Sequence, residues 1–282
     1  MSKVAPPTSA HTAVVLVGSH ESANGADLLS LKDDDPSVIV TTAGRPLHNV
    51  VAQLSAGDGQ IVVIPMTFGR NPTFVADTAK TLKWLSAGAE GRLVLADAFG
   101  SIDHLTAWLR TAASEVRKRD PEAALVISAD AANPFDDAEL FRIAHLVRTH
   151  GAGNVVEVAV METEADLLAV LDRLRLLGSG RAVIVPAGFQ RESSTAFGRD
   201  GFAGAQFYGP LMSSQAVLRV IRQRTRDALH ELSHGRTGIA AGLQADHGHG
   251  YAHSHAFEES QGKGHNHPQG HSHGRSTLTH TH

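Results

Sequence analysis

The chain has 282 residues, of which 42% are hydrophobic and 19% charged, a balance typical of a folded globular protein and unlike a disordered one. Its 25 basic and 29 acidic residues give a formal net charge of -4, which argues against a nucleic-acid-binding surface. Cysteine is absent, which excludes disulfides, thiolate zinc sites, cysteine-held iron–sulfur clusters and cysteine nucleophiles. No run approaches the roughly 20 apolar residues of a membrane helix, and no signal peptide is evident. We therefore expect a cytoplasmic protein that binds neither nucleic acid nor membranes.

Short runs rich in valine, isoleucine and leucine recur along the chain and predict eight strands. They are almost continuously apolar, which is typical of parallel strands buried on both faces. In chain order they are Ala13–Val17, Val38–Thr42, Ile61–Pro65, Leu93–Ala96, Ala124–Ser128, Val155–Val160, Ala182–Pro186 and Ala205–Tyr208.

Longer amphipathic stretches separate these runs and predict helices. Asn71, Ser101 and Asn133 stand where helix-capping side chains are expected. Strand followed by helix, repeated, indicates right-handed βαβ units. The predicted helices are Pro72–Leu85, Ile102–Lys118, Pro134–Thr149, Thr163–Leu177 and Ser213–Leu232.

Two segments of the chain share residues at a constant spacing, which indicates a duplication. When Ile61–Arg70 is aligned with Ala182–Arg191, a proline, a phenylalanine and an arginine coincide at an offset of 121 residues. The predicted fold is therefore α/β, with two tandem domains that each contain a four-stranded parallel sheet flanked by helices. We expect a flexible N-terminus at residues 1–11, domains at 12–120 and 121–234, and a disordered tail at 235–282, where glycine, serine, histidine and glutamine dominate.

Candidate functional residues lie at the carboxyl ends of the predicted strands, where parallel sheets bind ligands. His20 follows the first strand, and imidazole is both a divalent-metal ligand and a base near neutral pH; otherwise it is an ordinary turn histidine. Arg70 and Arg191 occupy matched positions, where they would meet an anionic ligand or form a cap or salt bridge. Asp77 is either a ligand or a solvated surface charge.

The tail is the second candidate site, because ten of the 18 histidines lie in residues 247–282. They form five His-x-His pairs, and two imidazoles one residue apart on a flexible chain can share a zinc, copper, nickel or cobalt ion. A purification tag or simple low complexity is the alternative. The predicted metal-binding residues are His247, His249, His253, His255, His265, His267, His271, His273, His280 and His282.

The two tandem halves, the first strand ending in Gly18-Ser19-His20 and the third ending in Val62-Val63-Ile64-Pro65 resemble the sirohydrochlorin cobaltochelatase family. These are class II tetrapyrrole chelatases of cobalamin and sirohaem synthesis. The resemblance covers about residues 12 to 234, and several long members also carry histidine-rich stretches. It implies a lyase that inserts Co²⁺, with Ni²⁺, Fe²⁺ or Zn²⁺ as alternatives, into a sirohydrochlorin-type tetrapyrrole. It implies no organic cofactor, and it makes a downstream tetrapyrrole methyltransferase a candidate partner.

The resemblance also implies roles for individual residues. His20 would match the catalytic histidine that holds the incoming metal and helps to remove the pyrrole protons. The implied metal ligands are His20, Glu21 and Asp77, and the implied substrate-binding residues are Ser19, Arg70, Asn71 and Arg191.

One position departs from the family. Its second metal-site histidine is replaced here by Thr73, and the equivalent position of the second half is Ser194. Either His20 holds the metal with a carboxylate such as Glu21 or Asp77, or the insertion activity is altered or lost. The cysteine-ligated cluster of some long relatives is absent as well.

Three functions follow from these alternatives. The first is a chelatase that uses the tail as a metal reservoir. The second is a non-catalytic protein that stores or delivers cobalt, nickel or zinc on a chelatase-like scaffold. The third, which has the least support, is a tetrapyrrole-binding protein with neither activity.

Overall fold

The computed structural model describes residues 12–192 and 204–245, which form two four-stranded parallel sheets flanked by helices. The strands of the first sheet are β1 (Thr12–Gly18), β2 (Val38–Thr42), β3 (Gln60–Met66) and β4 (Leu93–Leu95). Those of the second sheet are β5 (Ala124–Asp130), β6 (Val156–Met161), β7 (Ala182–Pro186) and β8 (Ala205–Phe207). The spatial orders are β2-β1-β3-β4 and β6-β5-β7-β8, so both sheets have the same topology. The predicted fold class is confirmed.

The five predicted helices are present, and each begins and ends within one residue of its predicted bounds; the described residues contain three further helices that were not predicted. Asn71 and Asn133 accept hydrogen bonds from the main-chain amides of Phe74 (2.9 Å) and Phe135 (3.0 Å), which confirms both caps. Two 3-10 segments, His20–Leu28 and Ser86–Ala89, complete the secondary structure. The helices are α1 (Leu31–Asp34), α2 (Arg45–Ser55), α3 (Pro72–Leu85), α4 (Ile102–Arg119), α5 (Pro134–His150), α6 (Glu164–Leu176), α7 (Ser214–Ser233) and α8 (Ile239–Gly242).

The hydrophobic core consists of three clusters, one of which is shared by the two sheets. The shared cluster takes Leu16 and Ile64 from the first sheet and Leu125 and Val158 from the second, together with side chains of α4, α5 and α7. The opposite face of the first sheet is covered by α2, α3 and α8, and that of the second by α6. Both faces of each sheet are therefore buried, as the unbroken apolar runs predict.

The helix that ends each half of the chain contacts the sheet of the other half. Helix α4 follows β4 and contacts β7, whereas α7 follows β8 and packs against β3 and β4. The Tyr208 hydroxyl, just after β8, donates to Glu115 Oε2 of α4 over 2.9 Å. Arg224 of α7 lies 3.8 Å from the carboxylate of Asp97, just after β4. The two sequence halves are thus joined by an exchange of helices.

The ordered part of the chain extends beyond the predicted start of the tail at Gly235. Ile239 of α8 is 6% exposed, and the amide of Leu95 donates to the carbonyl of Thr237 over 2.9 Å. Residues 235–245 are therefore held by apolar burial and by strand β4. The predicted flexible N-terminus, the remainder of the tail and its ten histidines lie outside the described residues. Among the helices that the structure describes, none is both long and apolar enough to cross a bilayer.

Candidate functional site

The carboxyl end of β1 turns sharply into the 3-10 segment, and Ser19 fixes this turn. Its hydroxyl donates to the carbonyl of Met66, at the end of β3, over 2.9 Å and accepts from the amide of Glu21 over 3.3 Å. Ser19 is buried. The predicted substrate-binding serine is thus engaged in positioning the segment that carries His20.

The segment then folds back over the strand from which it came. Ala23, Asn24 and Gly25 have φ angles of 47°, 52° and 96°, three consecutive left-handed residues. Gly25 lies so close to Gly18 that a Cβ on Gly18 would stand 2.3 Å from the Gly25 nitrogen. The absence of a side chain at Gly18 therefore permits the turn that presents His20.

His20 lines two cavities, and both contain residues from the two halves of the chain. The larger, about 360 Å³, is bounded by the β1 turn and by the residues that begin α3 and α5. The smaller, about 100 Å³, lies between the 3-10 segment and the ends of β5 and β7. Both cavities open where the carboxyl ends of the parallel strands meet, which is where this architecture binds ligands.

The imidazole of His20 is poised for metal binding or proton transfer. Its Nε2 is buried and has no hydrogen-bond partner among the described residues. Burial, reinforced by the nearby positive charge of Arg70, lowers the pKa of His20 to about 4. The ring is therefore neutral at physiological pH, as a metal ligand must be.

The carboxylate of Glu21 binds the residues that directly follow β3. It accepts hydrogen bonds from the Thr67 hydroxyl (2.6 Å) and the Phe68 amide (2.7 Å). The side chain is buried, and burial raises the pKa of Glu21, although the charge of Arg70 and these hydrogen bonds oppose the rise. Both carboxylate oxygens are already occupied by protein donors.

The predicted ligand Asp77 lies on the surface of α3, and the expected metal-ligand set is not assembled. The side chain of Asp77 is 55% exposed and forms an ion pair with Lys80 over 2.8 Å. Thr73, one helical turn earlier, is exposed too. In the part of the chain that the structure describes, no group of three or more histidine, aspartate and glutamate side chains is placed to hold a metal ion.

Arg70 is in the interior, whereas the family resemblance implies that it binds substrate. Its side chain is fully buried, and none of its guanidinium nitrogens has a hydrogen-bond partner within the described residues. The Arg70 guanidinium forms an ion pair with the carboxylate of Asp137 over 3.8 Å, the salt-bridge alternative that the sequence left open. Because β3 runs directly into the shared core, the arginine that follows it points inward and acts on the site through its charge.

Of the other predicted substrate-binding residues, Asn71 lines a cavity and Arg191 lies beside Asp27. Arg191 donates to the Ser214 hydroxyl over 2.8 Å, and its positive charge acts on Asp27. Asn71 caps α3 and also lines the larger cavity. Ser194 lies outside the described residues.

Two carboxylates that were not among the predicted site residues share the smaller cavity with His20. They are Asp27, on the 3-10 segment, and Asp130, at the end of β5. Burial raises the pKa of both; the charge of Asp130 raises that of Asp27 further, and Arg70 opposes the rise at Asp130. Asp130 stands at a predicted strand end, which was a usable signal, whereas Asp27 reaches the cavity only because the segment folds back.

Three phenylalanines join the two halves beside the site. Phe68 and Phe189, the matched phenylalanines of the duplication, stack with ring centroids 5.1 Å apart, and Phe99 meets both edge-on. The amide of Phe189 donates to the carbonyl of Glu21 over 2.8 Å. The matched positions of the repeat thus meet each other, and they hold the His20 segment against the second half.

The chain was compared with protein-family models and with curated proteins. No family model matches the chain, and no curated protein matches it. The likeness to the cobaltochelatases therefore rests on the residues quoted for it.

Proposed function

We propose that the chain is a metallochelatase that inserts Co²⁺ into a sirohydrochlorin-type tetrapyrrole. The observation that carries the proposal is His20, which lines two cavities at the carboxyl ends of the strands. Its imidazole is neutral, and its Nε2 has no hydrogen-bond partner among the residues that the structure describes. The duplicated halves and the Gly18-Ser19-His20 turn agree with the family resemblance. Ni²⁺, Fe²⁺ and Zn²⁺ remain alternative metal substrates.

Metal insertion exchanges two ring protons for one divalent ion, and side chains of the smaller cavity are suited to assist both steps. One divalent ion enters the ring as two pyrrole N–H protons leave, so the ring nitrogens replace the water ligands of the metal. His20 would hold the incoming ion through Nε2. Asp27 and Asp130 line the same cavity, and their raised pKa values make them stronger bases than ordinary aspartates, suited to accept the departing protons.

Two arginines would assist in different ways. Arg70 favours the neutral form of His20 through its buried charge and does not line either cavity. Arg191 lies nearer the surface and is available to meet a substrate carboxylate beside Asp27.

A second candidate function is the storage or delivery of cobalt, nickel or zinc without catalysis. The exposure of Thr73 and the Asp77–Lys80 ion pair favour it, because the positions that match the family's other metal-site residues face solvent. The five His-x-His pairs of the tail agree with either function.

Insertion measured with purified protein separates the two functions. Co²⁺ and sirohydrochlorin are mixed with the wild type, His20→Ala or the control His145→Ala, which removes an exposed histidine of α5, and the absorbance of the macrocycle is followed. We expect acceleration by the wild type and the control, and a loss of about 100-fold or more in His20→Ala. Cobalt binding without acceleration by the wild type would establish the storage function instead.

A further inference from the structure

Two histidines stand one helical turn apart at the end of α7. His230 and His234 are exposed, and their ring centroids are 4.7 Å apart with an interplanar angle of 83°. His234 is the C-cap residue, with φ of -95° and ψ of 11°, and its amide donates to the carbonyl of Glu231 over 3.0 Å. The backbone therefore stays nearly helical through the second histidine, and both rings project from the same face.

This spacing suits two imidazoles that bind one ion. Metal–nitrogen distances of about 2.0–2.1 Å place two ligating nitrogens roughly 3.3 Å apart around a tetrahedral ion. Rings whose centroids are already 4.7 Å apart reach that separation by small side-chain rotations. Because the helix holds the rings together before the ion arrives, little conformational entropy is lost on binding.

The local charges also favour a cation. The negative end of the α7 dipole lies at this terminus, and Glu231 stands between the two histidines. The Arg236 guanidinium donates to both oxygens of Glu231, through Nε and, over 2.9 Å, through Nη2. Arg236 therefore occupies the Glu231 carboxylate, and the feature that favours a cation here is the C-terminal end of the helix.

The sequence His230-Glu231-Leu232-Ser233-His234 has the spacing of the zinc-binding His-Glu-x-x-His helix. Our sequence-based prediction was that the chain contains no such helix, and that prediction was wrong. In zinc hydrolases of this type the glutamate is the general base, whereas the Glu231 carboxylate is held here by Arg236. The arrangement supports metal binding and gives no support for hydrolysis.

We infer that His230 and His234 form a two-imidazole binding site for a divalent transition-metal ion, of the zinc, nickel, copper or cobalt class. The site shares no residue with the two cavities at His20. It does not depend on the proposed chelatase activity.

The test uses the full chain and Ni²⁺ as the probe. We expect the tail histidines to bind the same ion, so the readout must depend on the folded helix. An ion that binds the folded state more tightly than the unfolded state raises the urea midpoint of unfolding. We expect Ni²⁺ to raise the midpoint of the wild type and of His145→Ala, which loses one exposed histidine elsewhere.

His230→Ala and His234→Ala should each lose most of the Ni²⁺-dependent rise, and the double variant should lose no more than either single variant. Both side chains are exposed, so the midpoints without metal should stay close to that of the wild type. A full Ni²⁺ response in both single variants, or none in the wild type, would overturn the assignment.

Two further results separate this inference from the proposed function. His20→Ala should keep the share of the Ni²⁺ response that depends on His230. His230→Ala should keep the rate of cobalt insertion, if the wild type catalyses it. Failure of either proposal therefore leaves the other standing.

Discussion

The charge of Arg70 affects the pKa values of several titratable groups around the site. Its buried charge lowers the pKa of His20 and opposes the effect of burial at Glu21 and Asp130. Arginine does not lose its proton inside proteins. The interior therefore contains a permanent cation, and Glu21, itself fully buried, is a natural counter-charge.

Replacing Arg70 by an uncharged residue should lower the free energy of unfolding, because the Glu21 carboxylate would then be buried without a nearby positive charge. We expect Arg70→Met to reduce the free energy of unfolding by roughly 2–3 kcal/mol at pH 7, somewhat less than for a buried pair in direct contact. Without Arg70 the pKa of Glu21 rises further above its unfolded value of 4.5, so the folded state binds more protons and stability falls as the pH rises above 4.5. Urea unfolding at pH 5 and pH 7 measures this, and the deficit should be smaller at pH 5.

The double variant Arg70→Met/Glu21→Gln should regain much of the lost stability at pH 7, because the buried charge of Glu21 is removed together with that of Arg70. Arg142→Met is the control, since Arg142 forms an exposed ion pair with Glu139 and should change stability by less than about 1 kcal/mol. If the double variant is as unstable as Arg70→Met, packing and not charge explains the role of Arg70.

His20 could be predicted from the sequence because it directly follows an apolar strand at the edge where ligands bind. Asp77 was assigned to the site from the family resemblance, and the structure places it on the exposed face of α3. Thr73, Asp77 and Lys80 share the exposed face of that helix, whereas Phe74 and Leu82 are buried. The apolar periodicity of the helix already indicated that face.

At the scale of elements, the 3-10 segment after β1 determines the shape of the site. It brings His20 and Asp27 to one cavity, and it depends on the close approach of Gly18 to Gly25. The strands and caps could be predicted because they follow from local patterns. This segment could not, because it is fixed by contacts with residues far along the chain, such as Met66 and Phe189.

Gly18→Ala should therefore disturb the site more than an ordinary glycine substitution. The added Cβ meets backbone atoms of Gly25, so the segment must move, and we expect a loss of about 2–4 kcal/mol in the free energy of unfolding. Gly57→Ala is the control, because a Cβ there meets only the Leu54 carbonyl at an ordinary 3.6 Å. Urea unfolding of both variants measures the difference, and equal stabilities would contradict the role of the close contact.

At the scale of the whole molecule, the exchange of α4 and α7 was not predictable from local patterns. An amphipathic helix has the same sequence signature whichever sheet it covers. The duplication indicated two halves with four strands each, and the structure agrees. The placement of α7 against β3 and β4 depends instead on long-range packing.

The same packing predicts where the chain can be shortened. Ending it after Ala245 should leave the urea midpoint and the insertion rate at saturating cobalt unchanged, while the amount of bound metal falls with the ten tail histidines. Ending it after Ser233 removes Ile239 and the Leu95–Thr237 hydrogen bond, and should cost roughly 2–4 kcal/mol. Urea unfolding and metal analysis of both shortened chains test this; equal stabilities would show that α8 contributes nothing.

The exchange of helices also constrains the order in which the protein can be assembled during synthesis. The strands β3 and β4 leave the ribosome early, but α7, which covers them, ends about 140 residues after β4. At roughly 5–20 residues per second, this apolar sheet face waits on the order of 10 s for its covering helix. The first half of the nascent chain therefore cannot reach its final packing until nearly all of the described residues have been made, and during that interval it depends on chaperones or on transient contacts.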